Sequence, residues 1–406
     1  MLTLKLAYRN ILRQRRRSLL TAFSMAGGYM LFVFSMSLLE GSWSNVVDIF
    51  TLDHTGHIQI HKDDYAKRAK IHKTIEDPKA IESTLKNQAA VTGWAPRVYS
   101  AALAYGGSKT APAKIFGIDP TLEPTVTRIL KKVSEGEYFS SQPNPDGYFP
   151  AMIGRGLANT LKLGVGDEIV LISSGADGSI ANDIFSITAI IGNTTSFDRL
   201  GVFLPISAAQ EFLAMGGDVH EYALLARNKH DNEQLAADLQ KLLPGLTVSP
   251  WQQIEATFYR TMQSDKQGNY FTMALIVFIV FIGVLNTVLM SVLERTREFG
   301  VLKSIGCRPS ELIKLIFIET VMLASISITA GLALILPVII WFTEVGIKLD
   351  ISVDMGGVVF DTMKGEFSAY VIFMPMGFML LTAALISLPP GLRAARILPR
   401  VALGSH

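Results

Sequence analysis

The 406-residue sequence predicts an α-helical membrane domain of four transmembrane helices, with a large α+β extracytoplasmic domain between helices 1 and 2. Three observations carry this. Hydrophobic residues make up 49% of the chain and charged residues only 18%, against about 25% charged in a soluble globular protein. Four apolar runs are long enough to cross a bilayer core. Basic residues cluster beside alternate ends of these runs, as a multi-pass topology requires.

Residues 1–18 form a basic amphipathic segment. Lys5, Arg9, Arg13, Arg15, Arg16 and Arg17 interleave with Leu4, Leu6, Ala7, Ile11 and Leu12, and no acid is present. Such a segment suits an anionic membrane surface. The run 19–39 follows and, at 1.5 Å per residue, spans roughly 30 Å. It exceeds the apolar core of a signal peptide and reads as an uncleaved first span, with Trp43 in the interfacial belt.

From 41 to 268 the composition turns globular and mildly acidic, and the segment is long enough to hold its own core. Its first part reads as a strand at 57–61, a helix at 78–87 and strands at 97–104 and 114–116. Its last part reads as a strand at 221–226, a helix at 232–242 and a strand at 246–248. Between them, at 117–218, short alternating segments such as 168–172 and 185–191 predict a mostly β lobe inserted into an α+β lobe at 41–116 and 219–268.

Three further spans are expected at 271–293, 312–342 and 369–388, the last closed by Pro389-Pro390. The third carries Lys314 and Glu319 near its start and Pro337 near its end, which predicts a tilt, a kink or an emergent first turn. Residues 343–367 read as a polar loop. Arg295, Arg297, Lys303, Arg308 and Lys314 in the 294–314 loop, and Arg393, Arg396 and Arg400 in the 389–406 tail, fall on the same side as the N-terminus. By the positive-inside rule both termini are cytoplasmic.

Residues 290–306 (MSVLERTREFGVLKSIG) organise this layout. An apolar run turns into charge, and a short helix follows with Phe299, Leu302 and Ile305 on one face and Gly306 as its stop. A charged helix between two spans is offered to a soluble partner at the membrane surface.

The remaining motifs exclude more than they offer. Net charge is only +2, which gives no argument for nucleic acid. Gly107 to Thr110 imitates the end of a phosphate loop, but Ala102 stands where that motif needs glycine. ATP chemistry is therefore expected from another chain. His54, His57 and His61 read as solvated strand histidines, because no converging ligand set accompanies them. Asp63-Asp64 and Asp167-Glu168 read as solvated turn acids. No catalytic residue, metal site or cofactor is expected. The single cysteine, Cys307, excludes an intrachain disulfide and reads as a small packing residue. Glu319 is a buried-charge candidate, either functional or structural. Gly27 and Gly28 permit close helix approach.

Residues 6–28 (LAYRNILRQRRRSLLTAFSMAGG), 290–319 (MSVLERTREFGVLKSIGCRPSELIKLIFIE) and 388–403 (LPPGLRAARILPRVAL) together resemble the FtsX-like, or MacB-like type VII, permeases of bacterial ABC transporters. Residues 153–172 and 203–213 resemble that family's inserted lobe. The resemblance implies a porter lobe and a sabre lobe, placement in the bacterial inner membrane, and pairing with a second copy or a paralogue. It also implies a cytoplasmic ATPase dimer that binds ATP and Mg²⁺, seated on Glu294, Arg295, Glu298, Gly300, Lys303 and Gly306. ATP-driven closure would then move the outer domain.

Three tasks compete within the family: lipoprotein release with a periplasmic carrier, efflux with a periplasmic adaptor, and regulation of a cell-wall hydrolase. The layout suits the first. Phe32, Phe34, Met36, Phe271 and Met273 would offer a lipid cavity, or face lipid as ordinary helix surface. Ser173, Asp177 and Asp183 would mark a carrier-binding loop, or an ordinary hairpin.

Overall fold

The computed structural model describes residues 2–13, 15–355 and 358–397. The expected tail is thus described only to residue 397, and Arg400 and the closing Gly404-Ser-His lie outside the described residues. The chain divides into a membrane unit (1–45, 262–348 and 362–406) and an inserted domain (46–261 and 349–361).

Among the described residues, six helices build the membrane unit: α1 (Leu2–Arg13), α2 (Arg15–Phe50), α3 (Ala256–Glu294), α4 (Thr296–Ser304), α5 (Pro309–Glu344) and α6 (Ala369–Ala395). Among the described residues, α2, α3, α5 and α6 are long and apolar enough to cross a membrane. Their shared core is built from side chains such as Met25, Tyr29, Val284, Ile328, Ile335 and Met379. Small residues set how closely the backbones pack. A Cβ on Gly28 would stand 2.8 Å from Val280 Cγ2, and one on Gly331 would stand 3.1 Å from the Tyr29 ring.

Three helix ends lie beyond the expected spans. Helices α2 and α3 extend past the apolar runs at 39 and 271, because an α-helix satisfies its own backbone whether or not its surface is apolar. Lys266 pairs with Glu40 at 3.0 Å along these extensions. Helix α6 does not stop at Pro389-Pro390 but runs to Ala395. Proline removes a backbone donor, yet buried Pro390, Gly391 and Ala394 pack here, where a Cβ on Gly391 would stand 3.4 Å from Ile313 Cγ2 of α5. Neighbouring helices make such prolines tolerable in a membrane. The expected polar loop after α5 contains two paired strands, β11 (Ile347–Met355) and β12 (Val358–Met363).

Among the described residues, the inserted domain is built on a ten-stranded sheet. Its strands are β1 (Ile58–His61), β2 (Val91–Gly106), β3 (Lys109–Ile118), β4 (Val133–Gly136), β5 (Phe149–Gly154), β6 (Glu168–Ser174), β7 (Ile180–Ile191), β8 (Gly201–Pro205), β9 (Glu221–Ala226) and β10 (Thr247–Pro250). The order is β10-β1-β9-β2-β3-β8-β5-β7-β4, with β6 paired to β2 and β7. The expected lobe boundary at 117 therefore falls inside a continuous sheet. Long β2 pairs with β9 through Val91–Arg97 and with β6 through Leu103–Tyr105, so one strand serves both regions. The same core runs through both, from Ile58 and Leu85 to Leu171 and Phe185.

The histidines correct a second expectation. His57 and His61 are buried, at 6% and 1% exposure, not solvated. His57 Nδ1 accepts from Ala226 N at 3.1 Å, and His61 Nε2 lies 3.0 Å from Gln59 Oε1. Strand β1 sits between β9 and β10 with both faces covered, so alternation no longer separates core from solvent. At the centre, buried Arg97 joins Glu123 at 2.7 Å and Glu221 at 3.0 Å.

Candidate coupling site

Helix α4 is short because both its ends are specified. At its start Arg295 breaks from the regular helix that ends at Glu294. At its end Gly306 adopts φ +100°, a conformation that favours glycine. Cys307 N then donates back to Leu302 O at 3.0 Å, which closes the last turn. The next helix begins at Pro309, where the Glu311 carboxylate accepts from Arg308 N at 3.1 Å.

Phe299 anchors the inward face. It is fully buried with Val292, Leu312, Ile316 and Ala394, and Leu302 packs beside them. Ile305 departs from the expected face and is 79% exposed. The turn preceding Gly306 rotates it off the stripe, so spacing alone misplaced it.

The six expected ATPase-contact residues divide into two groups. Glu294, Glu298 and Gly306 are exposed. Arg295, Gly300 and Lys303 are turned toward the membrane unit. The Arg295 guanidinium donates through Nη1 to both Glu319 oxygens at 3.0 Å and through Nε to Glu298 at 3.1 Å. It also lies 5.1 Å from the Phe299 ring centre, within cation–π range. Lys303 Nζ donates to Ala395 O at 2.8 Å and Ile397 O at 2.7 Å, satisfying carbonyls at the end of α6. A cation at a helix C-terminus is also favoured by the dipole.

The helix is thus tied to α5 by an ion pair and to α6 by a cap. Helix α1 joins the same cluster: Asn10 Nδ2 donates to Glu319 at 3.5 Å, and Arg13 lies 3.3 Å from Glu298. Asn10 and Arg13 were not singled out by sequence as partners of α4. The one available signal was the acid at 319 inside an apolar run.

The other two candidate groups are placed differently. Phe32, Met36 and Met273 are buried in the helix core, while Phe34 stacks on Phe342 at 5.3 Å. Phe271 is 73% exposed. These five do not line one open cavity. Ser173 ends in β6, where its hydroxyl donates to Ala101 O at 2.8 Å. The Ser179 side chain and, at 2.9 Å, its backbone N donate to Asp177 in the β6–β7 turn, and these bonds hold its carboxyl below the usual range. Asp183 accepts from Ile184 N at 2.8 Å. Ala176 N donates to Leu213 O at 2.7 Å, which pins the turn to the domain.

Residues 18–242 match the family described as MacB-like periplasmic core domain, and residues 270–399 match FtsX-like permease C-terminal. The chain belongs to this family. It is therefore a type VII ABC-transporter permease with a periplasmic domain between its first two membrane helices. The permease is 24% identical over 346 residues to the lipoprotein-releasing system transmembrane protein LolE of Haemophilus influenzae, covering 82% of each chain. It is 28% identical over 293 residues to the pyoverdine export ATP-binding/permease protein PvdT of Pseudomonas fluorescens, covering 68% of this chain and 40% of that protein. The periplasmic region of MacB from Actinobacillus actinomycetemcomitans aligns with a TM-score of 0.36 and 12% identity, over 50% of this permease and 92% of that structure.

Proposed function

We propose that this permease transmits ATP-driven motion from a cytoplasmic ATPase dimer to its periplasmic domain, and so extracts a lipoprotein or another lipid-linked substrate from the inner membrane. The observation that carries the reading is the bracing of α4. A helix that receives force must not yield locally, and Arg295, Phe299 and Lys303 tie this one to α5 and α6. Glu294, Glu298 and Gly306 are left toward the ATPase.

The reading places both termini and α4 in the cytoplasm, in keeping with the basic residues near them. It pairs the permease with a second copy or a paralogue and leaves ATP and Mg²⁺ to the ATPase. A periplasmic carrier would receive the cargo. The buried state of Phe32, Met36 and Met273 means that acyl chains reach them only if α2 and α3 part. Similarity to LolE over 82% of both chains supports the lipid-linked cargo.

The test is reconstitution of the permease with its ATPase in proteoliposomes, with mass spectrometry of co-purified material. Lipoprotein bound at purification and released by ATP with a carrier is the expected result. Phospholipid alone, with no ATP-dependent release, would overturn the cargo. A second reading, small-molecule export with a periplasmic adaptor, draws on the similarity to PvdT. It predicts adaptor-dependent ATPase activity without bound lipoprotein.

A further inference from the structure

A groove of about 1020 Å³ opens on the membrane unit between the start of α2 and the last turns of α3. Arg13, Arg15 and Arg16 line it together with Leu20, Met290 and Glu294. Its chemistry is graded along α2. Three guanidiniums stand at the end of the apolar span, against one carboxylate among the described lining residues. Leu20 and Met290, one to two turns deeper, are 68% and 52% exposed. The first turn of α2 holds no acid, so the helix does not neutralise its own arginines. Guanidinium is the side chain best suited to paired hydrogen bonds with phosphate.

We propose that this groove is a headgroup site for one anionic phospholipid of the leaflet on the side of α1 and α4. Its phosphate lies among Arg13, Arg15 and Arg16, and its acyl chains lie along Leu20 and Met290. The apolar floor argues for a lipid over a free anion, because inorganic phosphate gains nothing from Leu20 or Met290. The site also touches α4. Arg13 pairs with Glu298 at 3.3 Å, with the two side chains 77% and 43% exposed. An ion pair this open is weak, so a phosphate can draw Arg13 away from Glu298. The lipid thereby adjusts the outer face of α4. The proposal rests on the membrane reading of α2 and α3 and not on the cargo or the ATPase.

Native mass spectrometry of the purified full-length permease tests it. Phosphatidylglycerol and phosphatidylcholine of matched chains are added separately and in competition with 10 mM inorganic phosphate. Phosphatidylglycerol should be retained about tenfold over phosphatidylcholine, and R15Q/R16Q should reduce that preference to near one. R15K/R16K should keep part of it. Equal retention of the two lipids by the unaltered protein overturns the site, as does an unchanged preference in R15Q/R16Q. Displacement of phosphatidylglycerol by phosphate would make it an inorganic-anion site and overturn the lipid assignment. A photoactivatable phosphatidylglycerol provides a readout that needs no variant. It should label peptides within 13–20 and 286–294, and labelling confined to other segments overturns the site. Loss of ATPase coupling would leave all these readouts unchanged, so failure here and failure of the proposed function are separable.

Discussion

Arg295 at the start of α4 and Glu319 in α5 form a paired contact, with one guanidinium nitrogen 3.0 Å from both carboxylate oxygens. The arginine side chain is 8% exposed and the glutamate 19%. A buried pair of this kind contributes little over an apolar replacement, but removing one partner strands the other charge.

Glu319→Ala should therefore destabilise the membrane unit by about 3 kcal/mol, the lower end of the range for a broken buried pair because Glu298 still contacts Arg295. Thermal unfolding in detergent reads the loss. The double variant Arg295→Met/Glu319→Leu should recover most of it. Equal stability of the single and double variants would mean that the pair is not what holds α4.

Proline at Val301 would remove the donor of a hydrogen bond inside α4 and clash with the preceding turn, at about 3 kcal/mol locally. Glu298→Lys leaves the helix intact but places a cation beside Arg13 and Arg295. Both variants should retain a folded periplasmic domain, and both should lose transport while the ATPase still hydrolyses ATP. Normal transport in both would overturn the proposed coupling role of α4.

Gly28→Ala should be tolerated poorly, because its Cβ would stand 2.8 Å from Val280 Cγ2. Overpacking of this kind costs about 1–3 kcal/mol. Val280→Ala should restore stability if the contact is the cause. A double variant as unstable as Gly28→Ala would place the strain elsewhere.

The buried histidines make the periplasmic domain acid-sensitive. Burial holds the His57, His61 and His220 imidazoles below their ordinary value. In the unfolded chain each takes up a proton near pH 6.5. Below about pH 6.5 the unfolded state binds more protons, so stability falls with pH until the folded-state values are also passed. Each group adds at most about 1.4 kcal/mol per pH unit. Hydrogen exchange at β1 and β9 in the full-length protein should accelerate relative to its intrinsic base-catalysed rate as pH falls from 6.5 to 5. Replacing His61 with glutamine should flatten part of that slope. A rate that follows only the intrinsic chemistry of exchange would refute the linkage.

The membrane architecture was legible in the sequence because a bilayer imposes a length and a polarity on each span, and neither depends on remote contacts. Strand β9 and the helix Asn232–Leu242 were likewise readable from local pattern. Lobe division was not, since β2 carries pairings with β9 and β6 that lie far apart in sequence. Ile305 was misplaced because the closing turn at Gly306 interrupts the helical stripe. The histidines were misplaced because a strand covered on both faces loses its polar alternation.

For the coupling site, the sequence by itself determined that a charged helix ending at Gly306 stands between two spans. It determined the residue types as well: exposed-looking acids, three cations and one phenylalanine. Only the tertiary structure decided which of those charges face outward. Arg295 and Lys303 turn in because Glu319 and the carbonyls of Ala395 and Ile397 wait for them on other helices. The physical reason is that a charge's direction follows its partner, and these partners come from distant stretches of the chain.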